Sequence, residues 1–213
     1  FIANEYFVRE NYFRVDGKNY LSVFDTNFFL RQIPPEMACK AIAKVRRWLK
    51  REGFGELHLS AIDPVPRFRG SLKEIGFDSV AHYVFLPEWK GEYLQDFSDA
   101  ALKRSRQWEK FSAETGLPYF PSVSPGWDAT PRSVDYGTEK PMRYPWWPIV
   151  VNRAPCKFGE FLGKAIDFSS LNNPSNPLVF IGSWNEWSEG HYLEPDSVYE
   201  FQWLEAVRTA RNG

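Results

Sequence analysis

The stretch "WNEWSEG" (184–190) sets two Trp and two Glu within seven residues, directly after the apolar run "PLVFIGS". Folding alone asks for no carboxylates at the end of an apolar strand. Glu186 and Glu189 are three residues apart. On a helical turn that spacing brings the two Cβ atoms to ~5–6 Å, close to the ~5–5.5 Å between the carboxyl groups of retaining glycosidases. Such closeness makes simultaneous ionisation costly, so one of the pair is expected to have a raised pKa and to supply an acid near neutral pH. The flanking Trp184 and Trp187 offer flat apolar faces that desolvate carboxylates and stack on sugar C–H faces, and Asn185 stands between them as a polar contact. The competing reading is a solvated pair of Glu at the N-terminus of the last helix, where the dipole favours negative charge.

A second constellation is "PSVSPGWDATPR" (121–132). Pro and Gly stiffen its backbone, while Trp127, Asp128 and Arg132 project aromatic and charged groups. Taken alone, it reads equally as a rigid turn with an Asp–Arg pair. The remaining candidates are sparse. His82 and Tyr83 end the strand-like "SVAHYVFL" (79–86), His58 lies mid-strand as a core histidine would, and neither His82 nor His191 has a partner at zinc-ligand spacing. No Ser sits in a G-x-S-x-G elbow, which removes the common serine-hydrolase reading. No D-x-D marks a nucleotide-diphosphate site. No metal or cofactor is expected.

These residues need elements to position them. Strand-like runs at 19–25, 56–62, 79–86, 117–127 and 177–184 alternate with helical patterns at 34–52, 70–77, 97–115, 157–171 and 198–211. That alternation argues a parallel sheet of about five βα units. In such folds ligands meet the C-terminal ends of the strands, where Asp25, Asn27, Asp63, Arg67, His82, Tyr83, Trp127, Asp128, Arg132, Trp184, Asn185, Glu186, Trp187 and Glu189 all fall. A doubly wound sheet would carry a Gly-rich loop after its first strand. "VFDTNFFL" contains no Gly. A complete (β/α)8 barrel needs ~250 residues, so 213 residues with five units read as the C-terminal part of one, strands four to eight. The irregular stretch 124–155, with six Pro, is too long for an ordinary βα connection and is expected to be a functional loop.

Composition limits the function classes. The chain is 43% hydrophobic, with a formal net charge of −1, so it lacks the basic face that a nucleic-acid partner would want. The basic run "KVRRWLKR" (44–51) reads as the solvated face of a helix. No apolar run approaches the ~20 residues of a membrane span. Cys39 and Cys156 are too few for a disulfide framework or a metal site. Aromatics make up 17%, with nine Trp, more than packing usually requires. "FIANEYFVRENYF" at the start shows no signal peptide.

The motifs together resemble one family. "VFIGSWNEWSEGHYLEPD" (179–196) resembles the hallmark of the WbsX-like group, related to glycoside hydrolase family 99. "PSVSPGWDATPR", "NYFRVDGKNYLSVF" (11–24) and "IGFDSVAHYVF" (75–85) are similar to further segments of that group, in the same order. The resemblance implies a (β/α)8 barrel entered at its fourth strand by "VDGKNYLSVF", and hence a single catalytic domain over 1–213 that is incomplete at its N-terminus. An upstream half-barrel segment is then an expected partner, with open sheet edges at "YLSVF" and "PLVFIGSW". It implies a retaining enzyme acting on a polysaccharide or glycan through a 1,2-anhydro sugar. Glu186 would deprotonate the sugar 2-hydroxyl, and Glu189 would serve as acid and then base. "EWSEG" stands where family 99 usually has "EWHEG", so Ser188 leaves the mannose contacts unassigned. WbsX-like proteins are often described as glycosyltransferases of polysaccharide synthesis. That is the alternative activity, and a non-catalytic glycan-binding remnant is a third. A hydrolase would work outside the cell or in the periplasm, a transferase in the cytoplasm.

Overall fold

The computed structural model describes residues 1–136 and 141–212. In chain order its elements are β1 (Arg14–Val15), β2 (Lys18–Val23), α1 (Thr26–Gln32), α2 (Pro35–Arg51), β3 (Leu57–Ile62), the short α3 (Pro66–Arg69) and α4 (Leu72–Ile75), and β4 (Ser79–Ala81). They continue with β5 (Leu94–Asp96), α5 (Phe97–Ser105), α6 (Trp108–Thr115), β6 (Ser122–Val123), a 3-10 segment (Thr130–Tyr136), β7 (Ile149–Val151) and α7 (Pro155–Asn172). The last are β8 (Phe180–Ile181), β9 (Asn185–Glu186), a 3-10 turn (Trp187–Glu189), β10 (His191–Tyr192) and α8 (Gln202–Asn212). The chain divides into two compact units. The first comprises Phe1–His82, Glu109–Phe120 and Asn173–Asn176; the second comprises Tyr83–Trp108, Pro121–Asn172 and Pro177–Gly213.

The first unit is built on a four-stranded sheet in the order β1-β2-β3-β4. β2, β3 and β4 run parallel, with Leu21 opposite Leu59 and Ala61 opposite Val80. Every residue of β3 is buried, as a central parallel strand requires. Val80 extends the sheet through a parallel bridge to Tyr119. α2 begins at Pro35 and turns Ala38, Ile42 and Leu49 inward at helical spacing. Arg46 on α2 forms an ion pair with Asp78, whose Oδ2 also accepts the N–H of Leu59 at 2.8 Å. Two polar residues expected at the strand ends do structural work here. The Asp25 carboxylate caps α1 through the Phe28 N–H. The Asn27 amide donates to the Asp63 carbonyl and accepts from the Val65 N–H, both at 2.8 Å, and so closes the loop after β3.

The antiparallel β1–β2 pair departs from the sequence reading. Asp16 and Gly17, both at positive φ, turn the chain between them. "VDGK" carries the Asp-Gly signal for this hairpin. β1 therefore covers the start of the β2 edge at Lys18 and Asn19, and Tyr20 donates its N–H to Phe13. The edge expected to be open along "YLSVF" is thus partly blocked.

The second unit holds three two-stranded pairs: parallel β5–β7, parallel β6–β8 and the antiparallel hairpin β9–β10. α7 packs against β6 and α5, and α8 packs on α7. Phe158, Phe161 and Leu162 of α7 and Trp203 of α8 are buried, and Trp203 packs edge-on to Phe158. The strands expected at 117–127 and 177–184 shrink to the paired residues of β6 and β8. Pro118, Pro121 and Pro125 lack the N–H that a longer ladder would use. The helix expected over 97–115 is two helices. Its apolar positions keep one helical spacing throughout, which is why the sequence reads as continuous, but the Gln107 N–H bonds three residues back to Arg104 and breaks the four-residue ladder. Within the irregular stretch 124–155, residues 137–140 lie outside the described residues. Among the described residues no helix is long and apolar enough to cross a membrane.

His58 gives the first unit a pH dependence. Its Nε2 lies 2.8 Å from Ser79 Oγ, and its ring stacks on Tyr20. Burial holds the imidazole below its ordinary range, although the Asp78 carboxylate pulls the other way. The unfolded chain takes up the proton near pH 6.5, before the folded chain does. Protonation therefore favours unfolding, and stability falls as pH drops below about 6.5. Urea midpoints should decrease between pH 7.5 and 5.5. His58→Gln should flatten that decrease without abolishing it, because His191 is shifted downward by burial as well.

Candidate active site

The Glu pair lies wholly within the second unit. The chain leaves β8, runs through β9, and enters the one-turn 3-10 segment Trp187–Glu189, for which Glu186 is the N-cap. Gly190 then reverses the chain at φ +66°, and β10 returns alongside β9 with His191 opposite Glu186. The turn gives the two carboxylates different surroundings. Glu189 is 7% exposed, whereas the Glu186 side chain is 31% exposed.

Arg132 joins them. Its Nη2 donates to Glu186 Oε1 at 2.9 Å, and its Nη1 pairs with Glu189 Oε1 at 2.8 Å. Its Nε donates to Ser188 Oγ at 2.8 Å, and Ser188 donates in turn to Glu186 Oε1 at 2.7 Å. Nη1 also donates to the Tyr144 hydroxyl at 2.6 Å, which donates to Glu189 Oε1 at 2.9 Å. The other oxygen of Glu189, Oε2, lies 3.0 Å from His191 Nε2. Among the described residues Glu186 Oε2 takes no hydrogen bond, and the side chain is partly exposed.

The electrostatics follow from this geometry. The Ser188 hydroxyl first, and then Arg132, hold the Glu186 carboxyl below the usual carboxylate range. The expected consequence of crowding, one raised carboxyl, is not what Glu186 shows, because the Ser188 hydroxyl and then the shared guanidinium both favour its charged form. His191 is fully buried, and burial keeps its imidazole below the ordinary range despite Glu189. Partial burial and the neighbouring Glu189 raise the Tyr144 phenol against the pull of Arg132, so it remains a donor at neutral pH. Burial and the charges of Glu189 and Glu186 raise Tyr83 as well, which places that phenol in the field of the pair.

Close backbone approach lets the Arg132 loop reach the Glu turn. A Cβ on Gly126 would stand 2.6 Å from the Gly190 carbonyl oxygen, and a Cβ on Gly190 would stand 2.9 Å from the Asp128 nitrogen. In that space the Asp128 N–H donates to the Glu189 carbonyl at 2.8 Å. Arg153 holds the other side of the turn, donating to the Gly190 carbonyl at 2.9 Å and to the Tyr192 hydroxyl at 2.8 Å.

The sequence-derived candidates divide accordingly. Arg132, Glu186, Glu189 and Tyr83 come together. Trp127 is 4% exposed and stacks on His191 at 5.4 Å, so it packs the floor of the site and presents no open face. The Asp128 carboxylate accepts from the Thr130 N–H and hydroxyl and shapes the loop, with no ion pair to Arg132. Trp184 and Trp187 are 54% and 43% exposed. Trp187 stacks on Tyr192 at 3.7 Å and donates to Glu194. Asn185 is exposed on β9. His82 belongs to the first unit, where it is buried and hydrogen-bonded to the Tyr119 hydroxyl at 3.0 Å. Sequence reasoning missed Tyr144, Ser188 as a bridge, His191 and Arg153. Only His191 carried a signal, its place two residues after Glu189. Among the described residues no group of three or more His, Cys, Asp or Glu is arranged to hold a metal ion.

The fold is similar to solved structures of a GH99 endo-α-mannosidase from Bacteroides thetaiotaomicron. One aligns with a TM-score of 0.62, covering 99% of this chain and 57% of that one. Another, in complex with bis-tris propane, aligns with a TM-score of 0.59 and covers 99% and 61%. At 16% identity in both cases, the likeness defines an α/β fold of that kind. The chain belongs to the family described as Glycosyltransferase WbsX, whose sequence profile matches residues 2–207. It is also 28% identical, over 99% of its length, to the uncharacterized protein WxcX from two strains of Xanthomonas campestris pv. campestris, and it spans 29% of those relatives.

Two substitutions probe the site without reference to a substrate. Gly190→Ala introduces left-handed strain and a backbone clash, and should cost about 1–3 kcal/mol in chemical denaturation. Ser188→Ala removes the principal cause of the low Glu186 pKa. Carboxyl-carbon NMR titration should show Glu186 ionising at higher pH than in the wild type, with Ser188→Thr restoring the original midpoint.

Proposed function

We propose that this chain carries the catalytic carboxylates of a carbohydrate-active enzyme that cleaves glycosidic bonds in a polysaccharide or glycan with retention of configuration. One observation carries the reading: Glu186 and Glu189 stand on a single turn, one half-exposed and one buried, joined by one guanidinium and bordered by exposed Trp184 and Trp187. The named activity of the structural neighbours and the described family both support a glycan as substrate.

In this reading Glu186 is the base. Its low pKa keeps it ionised, and its free Oε2 is available to a sugar 2-hydroxyl. Glu189 exchanges the proton of the glycosidic oxygen. Arg132 spreads its positive charge over both carboxylates as the charge of the pair changes through the reaction. Tyr83 and Tyr144 supply hydroxyls beside them. The βα units correspond to strands four to eight of a (β/α)8 barrel, completed by an upstream segment.

The second reading is a glycosyltransferase, favoured by the description of the matched family. Product analysis separates the two. A hydrolase releases new reducing ends in water; a transferase consumes an activated sugar donor and lengthens an acceptor. Glu186→Gln and Glu189→Gln should each lower turnover by ~10²–10⁴-fold with an unchanged circular dichroism spectrum. NMR of the first-formed product should show the anomeric configuration of the substrate. Wild-type rates in either variant would remove that residue from the chemistry.

A further inference from the structure

We propose that Trp89 is a saccharide-stacking platform that binds a sugar unit beyond the one at the carboxylates; this rests on the glycan reading above. The second unit contains eight of the nine Trp. Five of the eight are buried: Trp108, Trp127, Trp146, Trp147 and Trp203. The other three, Trp89, Trp184 and Trp187, are 44%, 54% and 43% exposed. Trp184 and Trp187 flank Glu186 in the chain. Trp89 is remote in sequence yet connected to the Glu turn through packed rings. Its ring meets Trp127 edge-on at 5.0 Å, Trp127 stacks on His191 at 5.4 Å, and His191 Nε2 lies 3.0 Å from Glu189 Oε2. Every exposed Trp of this unit is therefore on the Glu turn or tied to it through two ring contacts and a hydrogen bond.

The loop that presents Trp89 is built to hold it still. The Gln95 amide accepts from the Glu88 N–H at 2.7 Å and donates to the Glu88 and Glu92 carbonyls at 2.8 and 2.9 Å. Gly91 donates its N–H to the Glu88 carbonyl, and a Cβ there would stand 2.9 Å from the Glu88 carboxylate. Lys103 of α5 forms an ion pair with that carboxylate. A loop that only had to be solvated would need neither an amide clamp nor a large apolar side chain at its tip. An indole on a clamped loop loses little freedom when a sugar ring lies on it, because it has few side-chain torsions to restrict. The chemistry that fits is the apolar C–H face of a pyranose in a chain that continues past the cleaved linkage.

Binding of α-linked manno- and gluco-oligosaccharides of two and four units would be measured by calorimetry on the chain carrying Glu189→Gln, which prevents turnover. Trp89→Ala in that background should weaken a bound four-unit sugar about tenfold, the loss for ~60 Å² of apolar contact, and leave the two-unit sugar unchanged. Trp89→Phe should recover most of the loss. Equal weakening at both lengths, or no change where the parent binds, overturns the platform. Failure of the parent to bind any of these sugars counts against the glycan reading itself, and the platform falls with it.

Discussion

The site depends on one guanidinium. Two ionised carboxylates on a single 3-10 turn repel each other by about 4 kcal/mol at 4 Å in a medium of intermediate dielectric. Arg132 meets Glu186 with one terminal nitrogen and Glu189 with the other, and its Nε engages the serine between them. The planar fork suits this geometry, since three nitrogens in fixed relation reach three oxygens on one turn. A lysine would offer a single point charge and could not satisfy all three.

Most features around the pair serve to deliver that fork. The loop after β6 must approach the turn closely enough for backbone to touch backbone, so glycine stands on both sides, at Gly126 and Gly190. Asp128 spends its carboxylate on shaping the loop and its N–H on the Glu189 carbonyl. Arg153 fastens the opposite side and lies over the rings of Tyr192 and Trp203, linking the turn to α8. The floor is the stacked pair Trp127 and His191, which excludes water from Glu189 but not from Glu186. Two identical side chains thereby acquire different solvation, a difference that acid–base chemistry can use.

The likeness to the GH99 structures persists at 16% identity. The chain aligns with just over half of each of those structures while sharing few of their residues. The Ser188 hydroxyl shows how local chemistry varies within such a frame: it bridges the arginine and the outer carboxylate and lowers the pKa of that carboxyl by a hydrogen bond.

The sequence by itself determined a good deal. Helical spacing of apolar residues placed α2 and α7 within a few residues of their observed ends, and the strand read at 56–62 matches β3 almost residue for residue. The crowding of Glu, Trp and Asn after the last apolar run pointed to the site. These are local signals, carried by side-chain periodicity and composition over one element. Tertiary structure decided what depends on contacts between distant segments. The two- and three-residue strands β5 to β8 find partners that no local pattern announces. Arg132 turns to the carboxylates and away from Asp128, which sequence proximity had offered as its partner. Tyr144, 45 residues from Glu189, bonds to it. Trp127, which reads as a binding surface, is buried, while Trp89, which carried no signal, is exposed. Burial and charge are properties of the assembled neighbourhood. The same Glu or Trp side chain takes its pKa and exposure from groups that only folding brings within a few ångströms.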